Sequence, residues 1–561
     1  MRPRAGRSGL LLALGLVLLA SAAGPGLAAP PTGLIVNARI WTGDPGQPAA
    51  EALAWDARGR ILAIGTSEAL QKNWPDTPTL SLDGRRVLPG LIDAHGHVMG
   101  LGFSLLQADL VGAASIEQVI TRLRAQAASL PDGTWLLGRG WDQTRWPGAA
   151  FPTAADLDEA FPDRPVLLER VDGHASWANS AAMAQVERDL SGDWQPEGGF
   201  IHRDENGQPT GVFIDKAAEV FADAVPEPGE AERELALDRA LEHLVSLGVT
   251  GVHDAGTSLA DLRRFLHRDA AGRLPLRIHA LADGDRAALA ALCRLGPVQS
   301  DRVTMRGVKF YADGALGSRG AALLTDYSDD PGNRGLLFET DAALQAQIDK
   351  AMACDLQLAV HAIGDRANRQ VIDALIRGMN KHPDNPGRHR IEHVQIIHRD
   401  DIARLAEAGV TASMQPTHAT SDMRWAEDRL GAQRLFGAYA WQRLRQAGAR
   451  LAFGSDFPVE SANPMLGLYA AITRQDLDGE PPGGWLPDQR VTLEVAIAGF
   501  TADAAHAGFA EAEVGTLEVG KRADFIVLDR DPFEIDPIEI PAIKVLSTWL
   551  DGKAVYRANT Q

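Results

Sequence analysis

The middle of the chain repeats one pattern of apolar and polar positions. A short apolar run ends in polar residues, and a longer stretch with helical periodicity follows it. The pattern predicts eight strands, at residues 87–92, 249–252, 277–281, 308–311, 358–360, 389–391, 411–414 and 451–453. It predicts helices between them, including residues 233–247, 341–353 and 399–408. Eight strand–helix repeats in one domain predict an α/β fold with a closed parallel (β/α)8 barrel of the TIM type.

Both ends of the chain have a different pattern, in which short apolar stretches alternate with turn residues. Such strands are predicted at 34–36, 39–41, 52–55 and 61–64, and again at 523–528 and 545–550, where Asp551-Gly552 is a hairpin signal. Neither end is large enough to bury a core alone. We therefore predict a composite β-sandwich domain from residues 32–86 and 506–561, with the barrel domain at residues 87–505 inserted between its two parts.

About 150 residues separate the first two predicted barrel strands, which is far longer than an ordinary connection. We expect an insertion after the first strand, at about residues 105–230. Four of its tryptophans are candidates for a lid or wall of a pocket, although aromatic side chains also fill cores regardless of function. They are Trp135, Trp141, Trp146 and Trp177.

The first residues have the character of an export signal. Arg2, Arg4 and Arg7 precede a short apolar run, and small residues follow up to Ala29. This order predicts a signal peptide at residues 1–29, and the run is short for the alternative of a membrane anchor. We therefore expect an exported protein, in the periplasm or outside the cell, with no membrane attachment after cleavage.

Charge and cysteine content narrow the function classes. The formal net charge is -19, which disfavours a nucleic-acid partner because phosphate contacts need a basic surface. The chain has two cysteines, Cys293 and Cys354, and no CxxC pair. A thiolate zinc site is therefore excluded. We expect two buried thiols, with a bridge between them as the alternative.

The strongest chemical signal is the residues that end the predicted strands. They are His95 and His97 on the first strand, Lys309 in the fourth, His361 after the fifth, His393 after the sixth and Asp456 after the eighth. Because the carboxyl ends of parallel barrel strands meet at one mouth, we expect these side chains to converge. Residues i and i+2 of a strand point to one face, so the two histidines of the first strand can bind one ion. Imidazole with carboxylate suits zinc, and also manganese, iron or nickel.

Each of these residues also has an ordinary structural interpretation. His361 could be a hydrogen-bonded core histidine, His393 an ion-paired one, and Lys309 a buried structural lysine. Asp456 could cap a helix. All four residues lie at the same place, the ends of predicted strands. This shared position favours one metal site over four unrelated structural roles.

Long motifs in this order resemble amidohydrolase family 3 of the amidohydrolase superfamily, in the YtcJ-like branch that contains N-substituted formamide deformylase. The resemblance covers nearly the whole chain after the signal segment. Its motifs are LPGLIDAHGH at 88–97, DGH at 172–174, VKFYADGALGSR at 308–319, HAIGD at 361–365, RIEH at 390–393, MQPTH at 414–418, GSDFP at 454–458 and GTLEVGKRAD at 515–524.

The resemblance implies a metal-dependent hydrolase that cleaves a C–N bond other than a peptide bond in a small amide-type substrate. It implies one or two zinc ions held by His95, His97, His361, His393 and Asp456, and an N6-carboxylysine at Lys309 if the site is binuclear. An unmodified lysine is a cation and has to lose its charge before it can ligate a metal.

A mechanism follows as a hypothesis, in which a metal-activated water attacks the amide carbonyl. Asp456 takes the proton of the water and returns it to the leaving nitrogen. His174 or His418 donates to the developing oxyanion. Arg319 is a candidate for binding a substrate carboxylate or carbonyl, with a structural ion pair as the alternative.

Two rival functions stay open at this point. The same ligands suit a lactone, cyclic imide or phosphoester hydrolase, and a non-catalytic periplasmic regulatory or binding protein is a further alternative. We expect a small-molecule substrate, with a homodimer as one candidate assembly.

Overall fold

A computed structural model gives the fold, and it describes residues 30–131, 133–170, 175–196 and 198–559. The predicted signal peptide at residues 1–29 lies outside the described residues. Within the described ranges, none of the helices combines the length and the apolar character that a membrane span requires.

From residue 30, the described part of the chain starts with seven short strands and one helix. They are β1 (Gly33–Val36), β2 (Arg39–Trp41), β3 (Ala49–Ala50), β4 (Ala52–Trp55), β5 (Ile61–Gly65), α1 (Ser67–Asn73), β6 (Thr79–Ser81) and β7 (Arg86–Pro89). One four-stranded sheet has the order β5-β4-β1-β6. Strands β2, β3 and β7 belong to a second sheet, which the other end of the chain completes.

The first barrel strand and an inserted unit follow. The elements are β8 (Leu91–Gly96), α2 (Val98–Leu105), β9 (Ala108–Asp109), α3 (Ile116–Ala127), β10 (Leu136–Trp141), α4 (Ala154–Asp158), β11 (Val166–Arg170), β12 (Ala175–Ala178), α5 (Ser180–Met183), β13 (Gly199–Arg203) and β14 (Pro209–Asp215). Strands β9 to β14 form a six-stranded sheet of their own, in the order β13-β14-β12-β11-β10-β9.

The remaining barrel elements are strands that are followed by one or more helices, except that the short strand at Val298–Gln299 directly precedes the next strand. They are α6 (Glu230–Ser246), β15 (Val249–Thr257), α7 (Leu259–Ala270), β16 (Arg277–Asp283), α8 (Arg286–Leu295), β17 (Val298–Gln299), β18 (Val303–Tyr311), α9 (Asp341–Met352), β19 (Gln357–Ala362), α10 (Asp365–Lys381), β20 (Arg390–His393), α11 (Arg399–Glu407), β21 (Thr411–Met414), α12 (Pro416–Leu430), α13 (Trp441–Gln446), β22 (Leu451–Phe453), α14 (Pro464–Thr473), α15 (Leu493–Gly499) and α16 (Ala502–Ala507). The three helices named from sequence, α6, α9 and α11, are confirmed to within a few residues.

Eight parallel strands form the barrel, in the order β22-β21-β20-β19-β18-β16-β15-β8. The first and last strands approach each other where Gly96 and Phe457 form a parallel bridge. The backbone N–H of Asp456 also donates to the carbonyl of His95 over 2.7 Å. The predicted (β/α)8 barrel is therefore confirmed as a nearly closed barrel, and the seam between β8 and β22 lies at the mouth.

The chain ends in β23 (Phe525–Leu528), β24 (Val545–Leu550) and β25 (Lys553–Arg557). These strands join β7, β2 and β3 in the order β25-β24-β23-β7-β2-β3. A shared core, to which Ile35 and Leu53 contribute from one sheet and Phe525 and Trp549 from the other, packs the two sheets together. The predicted hairpin at Asp551-Gly552 is confirmed, since both residues have positive φ between β24 and β25.

The predicted first strand at 87–92 is wrong as a single element. The structure divides it into β7, which pairs with β2 and β23 in the sandwich, and β8, which pairs with β15 in the barrel. Gly90 lies between them, and a Cβ there would meet Thr250 Oγ1 at 2.2 Å. Both halves of the run are apolar because both are buried, so hydrophobicity alone could not separate them.

The expectation of two buried thiols is also wrong. Cys293 and Cys354 form a disulfide, and both are only half-buried. Cys293 lies in α8, and Cys354 follows the end of α9. The pair is 61 residues apart in sequence, and the packing of these two outer segments of the barrel brings the Cα atoms within 5.1 Å.

Candidate metal centre

The mouth is organised around the end of β8. Asp93 is buried and accepts hydrogen bonds from the backbone of His95 and from the backbone and hydroxyl of Ser455. Burial raises the pKa of Asp93 to about 7, against the lowering effect of these hydrogen bonds. The contacts attach the end of β8 to the segment after β22, which carries Asp456.

His95 is held from both sides inside the barrel. Its Nδ1 lies 2.5 Å from Oε2 of Glu392, and its Nε2 lies 3.2 Å from Nζ of Lys309 and 3.5 Å from Oδ1 of Asp456. Burial, together with the Lys309 charge, lowers the pKa of His95 to about 4 against the opposing carboxylates. The imidazole is therefore neutral at pH 7, which is the form that ligates metals.

Asp456 joins the two halves of the mouth. Its backbone has φ 62°, which is rare for a residue with a side chain and marks a functional constraint. Oδ1 lies 3.0 Å from Nε2 of His97, and Oδ2 lies 3.8 Å from Nε2 of His418. Burial acts to raise the pKa of Asp456, but His95, His97 and the other nearby imidazoles outweigh it and hold the pKa well below its usual range.

Three imidazoles form the opposite side of the mouth. The ring of His393 lies 4.5 Å from that of His361 and 6.0 Å from that of His418. Nδ1 of His393 faces Oε1 of Gln415 at 2.8 Å, so Nδ1 donates and Nε2 keeps its lone pair. Burial lowers the pKa of His361 to about 3 and that of His393 well below its usual value. The Nε2 atoms of His361 and His418 are buried without a hydrogen-bond partner.

These donors fit a divalent metal. Two groups of three, His95/His97/Asp456 and His393/His418/Asp456, each have ligand atoms within 4.8 Å of one another. Neutral imidazoles and an ionised carboxylate are the ligands that zinc and related ions prefer. Buried ring nitrogens without a partner need an explanation, and an ion at the mouth supplies one. The observed arrangement of side chains thus suits metal binding.

Comparison with known proteins places the chain in a family. The sequence profile of the amidohydrolase family matches residues 79–556. The chain belongs to the amidohydrolase family. The resemblance inferred from the sequence motifs is thereby confirmed.

Relatives of this amidohydrolase match it over most of its length. A putative amidohydrolase of Bacillus subtilis, YtcJ, is 34% identical over 89% of this chain and 94% of its own. N-substituted formamide deformylase of Arthrobacter pascens is 29% identical over 93% of this chain and 98% of its own. A solved metal-dependent hydrolase from Pyrococcus horikoshii superposes with a TM-score of 0.74 at 30% identity, and the match covers 90% of this chain and 99% of that one.

Lys309 of the amidohydrolase lies at the mouth, with Nζ 3.2 Å from Nε2 of His95. The side chain is 1% exposed, and Nζ lies 5.1 Å from the centre of the Tyr311 ring. Burial lowers the pKa of Lys309 to about 8. In the charged form, Nζ donates to Nε2 of His95 and occupies the lone pair that a metal would use.

The other sequence candidates fall in different places. Arg319 forms an ion pair with Asp329 at 2.9 Å, and Arg429 binds the same carboxylate, so the structure shows the structural alternative. His174 lies outside the described residues. The four candidate lid tryptophans of the amidohydrolase are at most 7% exposed, within the cores of the inserted unit.

Sequence reasoning missed a buried polar network below the candidate metal centre. Arg390 donates to Glu392 over 2.5 Å, and its guanidinium lies 2.7 Å from Nδ1 of His253. His279 packs on His253 with ring centres 4.9 Å apart. The signal was available in β20, where Arg390 and Glu392 alternate with the apolar Ile391 and therefore share the face opposite to it.

Proposed function

We propose that the protein is a metal-dependent hydrolase that cleaves a C–N bond other than a peptide bond in a small amide-type substrate. Candidate substrates are amides, N-substituted formamides and N-acyl amines. Membership of the amidohydrolase family and the likeness to a solved metal-dependent hydrolase support the hydrolase, and the Arthrobacter pascens relative supports this substrate class. The observation that carries the proposal is the position of Asp456, shared by two groups of metal-binding donors.

The residues that would hold the metal are His95, His97, His361, His393 and Asp456, with zinc as the first candidate ion. A bound divalent ion supplies Lewis acidity and lowers the pKa of a water that it binds. The chain supplies neutral imidazoles, because burial lowers the pKa of His95 to about 4 and that of His361 to about 3. These two imidazoles then have no proton to lose before they ligate. For His97, burial acts to lower the pKa, but the hydrogen bond and charge of Asp456 outweigh it and raise the pKa.

Asp456 is the proposed general base. Oδ1 is occupied by His97 at 3.0 Å, whereas Oδ2 is 3.8 Å from His418 Nε2, beyond hydrogen-bond distance. Oδ2 is thus the oxygen that accepts the proton of the attacking water. As the C–N bond breaks, the same oxygen returns this proton to the leaving nitrogen, so that the acid and the amine are released and the carboxylate is restored.

Lys309 is the proposed bridge between two ions, as an N6-carboxylysine. Carboxylation replaces the cation by an anion that offers oxygen ligands and no longer competes for Nε2 of His95. The position of Lys309 supports the carboxylation, since its Nζ is buried and lies 3.2 Å from Nε2 of His95. In that form Lys309 would help to hold two ions in a binuclear centre.

Export is proposed from the first 29 residues and receives independent support. Cys293 and Cys354 form a disulfide. Disulfides persist in oxidising compartments such as the periplasm and the extracellular medium, and are rare in the cytosol.

Metal analysis and a substrate panel test the function together. Metal bound to the mature wild-type protein and to Lys309→Ala is counted by elemental mass spectrometry after growth with added zinc. N-formyl amines, N-acyl amines, lactones, cyclic imides and a phosphoester are then screened for turnover. We expect two metal equivalents in the wild type, a lower content in Lys309→Ala, and release of amine from the amide substrates.

Other results would change the proposal in defined ways. Turnover confined to the lactones or the phosphoester would replace the substrate class and keep the metal hydrolase. Equal metal content in both proteins would remove the bridging role of Lys309. Wild-type protein without metal and without turnover on any substrate would favour the non-catalytic regulatory or binding alternative.

A further inference from the structure

We infer that His418 is a metal ligand at the second ion position, through Nε2, and that a hydrogen-bonded chain from Asp422 through Tyr439 and Gln395 selects the required tautomer. The inference rests on the proposed metal-dependent function and adds a ligand to the set that the sequence motifs imply. It also replaces the role of oxyanion donor that sequence reasoning assigned to His418.

The position of His418 supports ligation. It lies in the first turn of α12, which follows β21 directly, and it is 8% exposed. Its ring stacks against that of His393 with an interplanar angle of 17°, and its Nε2 faces Oδ2 of Asp456 at 3.8 Å. This nitrogen is buried without a hydrogen-bond partner. A buried ring nitrogen left unpaired beside a histidine and a carboxylate is suited to an ion.

The second observation concerns the other ring nitrogen. Nδ1 of His418 lies 3.1 Å from the amide Nε2 of Gln395, and Oε1 of the same amide lies 3.3 Å from the hydroxyl of Tyr439. The hydroxyl also donates to the carboxylate of Asp422 in a shorter contact. A tyrosine hydroxyl has one proton, and the bond to an ionised carboxylate is the stronger of the two.

This competition decides the orientation of the amide. With its proton committed to Asp422, Tyr439 can only accept from Gln395, so the amide presents its NH2 group to the hydroxyl. A half-turn of the amide exchanges nitrogen and oxygen and leaves the surrounding atoms in place. The carbonyl of Gln395 then faces Nδ1 of His418.

The tautomer of His418 follows from this orientation. A carbonyl accepts only from N–H, so the proton of the neutral imidazole is on Nδ1 and the lone pair is on Nε2. An oxyanion donor needs the opposite tautomer, with the proton on Nε2. Hydrogen bonds to the distal nitrogen commonly orient metal-bound histidines in this way.

The consequence is a second ion position at which His418 joins His393 and Asp456. Nε2 of His418 is buried without a hydrogen-bond partner, whereas Nε2 of His361 faces Oδ1 of Asp313 at 3.6 Å. In the contacts described, Asp422 and Tyr439 reach His418 only through Gln395. They are therefore positioning residues.

The test measures metal affinity rather than turnover alone. The zinc-loaded mature enzyme is titrated with a chromophoric chelator, and the cobalt(II)-loaded enzyme is examined by visible absorption. The variants are His418→Ala, Gln395→Leu and Tyr439→Phe, with His267→Ala, an exposed histidine of α7, as the matched control. Unfolding curves of all variants check that they fold.

We expect His418→Ala to lower the binding affinity for one of the metal equivalents at least tenfold and to change the cobalt spectrum. Tyr439→Phe keeps the ring and removes the hydroxyl. It should lower the affinity for the same metal equivalent about tenfold, within the usual range for losing a residue that orients a metal ligand. The control should match the wild type.

Two outcomes overturn the inference, and they are distinguishable. If His418→Ala keeps both metal affinities and the cobalt spectrum while kcat falls, His418 is an oxyanion donor and the proposed hydrolase stands. If the wild type itself binds neither zinc nor cobalt, the proposed metal-dependent function fails together with the ligand.

Discussion

Glu392 accepts a hydrogen bond from Nδ1 of His95 across 2.5 Å, although 297 residues separate the two in sequence. Both side chains are buried, at 0% and 1% exposure. The bond places the proton of His95 on Nδ1 and leaves Nε2 to face the mouth. Arg390 in turn binds both oxygens of Glu392. The orientation of a proposed metal ligand is thus determined by residues that lie behind it in the barrel.

The first prediction concerns Glu392. Substitution Glu392→Gln keeps the size of the side chain but removes the carboxylate that fixes the tautomer of His95. We expect metal affinity to fall 10–100-fold, the usual effect of losing such a partner. Competition with a chelator measures the affinity. At saturating zinc most of the turnover should return, and a permanent loss of kcat with normal metal content would instead assign Glu392 a role in the chemical step.

The second prediction concerns Asp456. In Asp456→Asn the group can no longer accept a proton, so kcat should fall about 10²- to 10⁴-fold even in protein that retains metal. Steady-state kinetics and metal content are measured on the same preparations. Asp428→Asn, at an exposed position of α12, is the control. Unchanged turnover with metal still bound would rule out Asp456 as the general base.

The third prediction concerns pH and His279. Burial lowers the pKa of His279 to about 4, and it is packed between Thr304 and Gln357. The unfolded chain therefore binds one more proton than the folded one between about pH 4 and pH 6.5. Folding stability is lost as pH falls through this window, and His279 contributes about 3 kcal/mol to the loss.

Comparison of a variant with the wild type isolates this contribution. Denaturant unfolding of metal-free wild type and His279→Asn is compared at pH 6.5 and pH 4. The variant should be less stable at pH 6.5 and should lose less stability on acidification, since the opposing shift of Asp93 is present in both proteins. Parallel losses in the two proteins would show that His279 does not titrate as described.

The fourth prediction concerns the disulfide. Its removal in Cys293→Ser/Cys354→Ser frees a loop of about 60 residues, which should lower the free energy of unfolding by about 2–4 kcal/mol. Thermal or denaturant unfolding measures the change. The wild type in the presence of a reductant should match the double variant, and equal stability with and without reductant would show that the bond does not form in solution.

Much of the candidate metal centre was predictable because it follows from local rules. Alternation along β8 puts His95 and His97 on one face, and parallel strands share one mouth, so His361, His393 and Asp456 had to meet there. The pattern of eight apolar runs likewise predicted the barrel. These features depend on spacing within one strand or on the shared direction of all strands.

Other features depend on the packing of distant segments. Gly90 separates β7 from β8, which the sequence pattern predicted as one strand. The pattern could not divide them, because both strands are buried and therefore equally apolar. Cys293 and Cys354 are 61 residues apart in sequence and come together only when the chain folds. Arg319 forms an ion pair with Asp329. The neighbouring sequence does not show whether Arg319 binds a substrate or another residue of the chain.

The sequence by itself thus determined the barrel, the family and most of the residues that line its mouth. Only the tertiary structure decided which partner each polar group took, as with Glu392 on His95 and Gln395 on His418. The physical reason is the sequence separation of the residues involved. The periodicity that predicts strands and helices is set by residues that are close together along the chain. Hydrogen bonds and tautomers depend on distances of a few ångströms between residues that the chain brings together only when it folds.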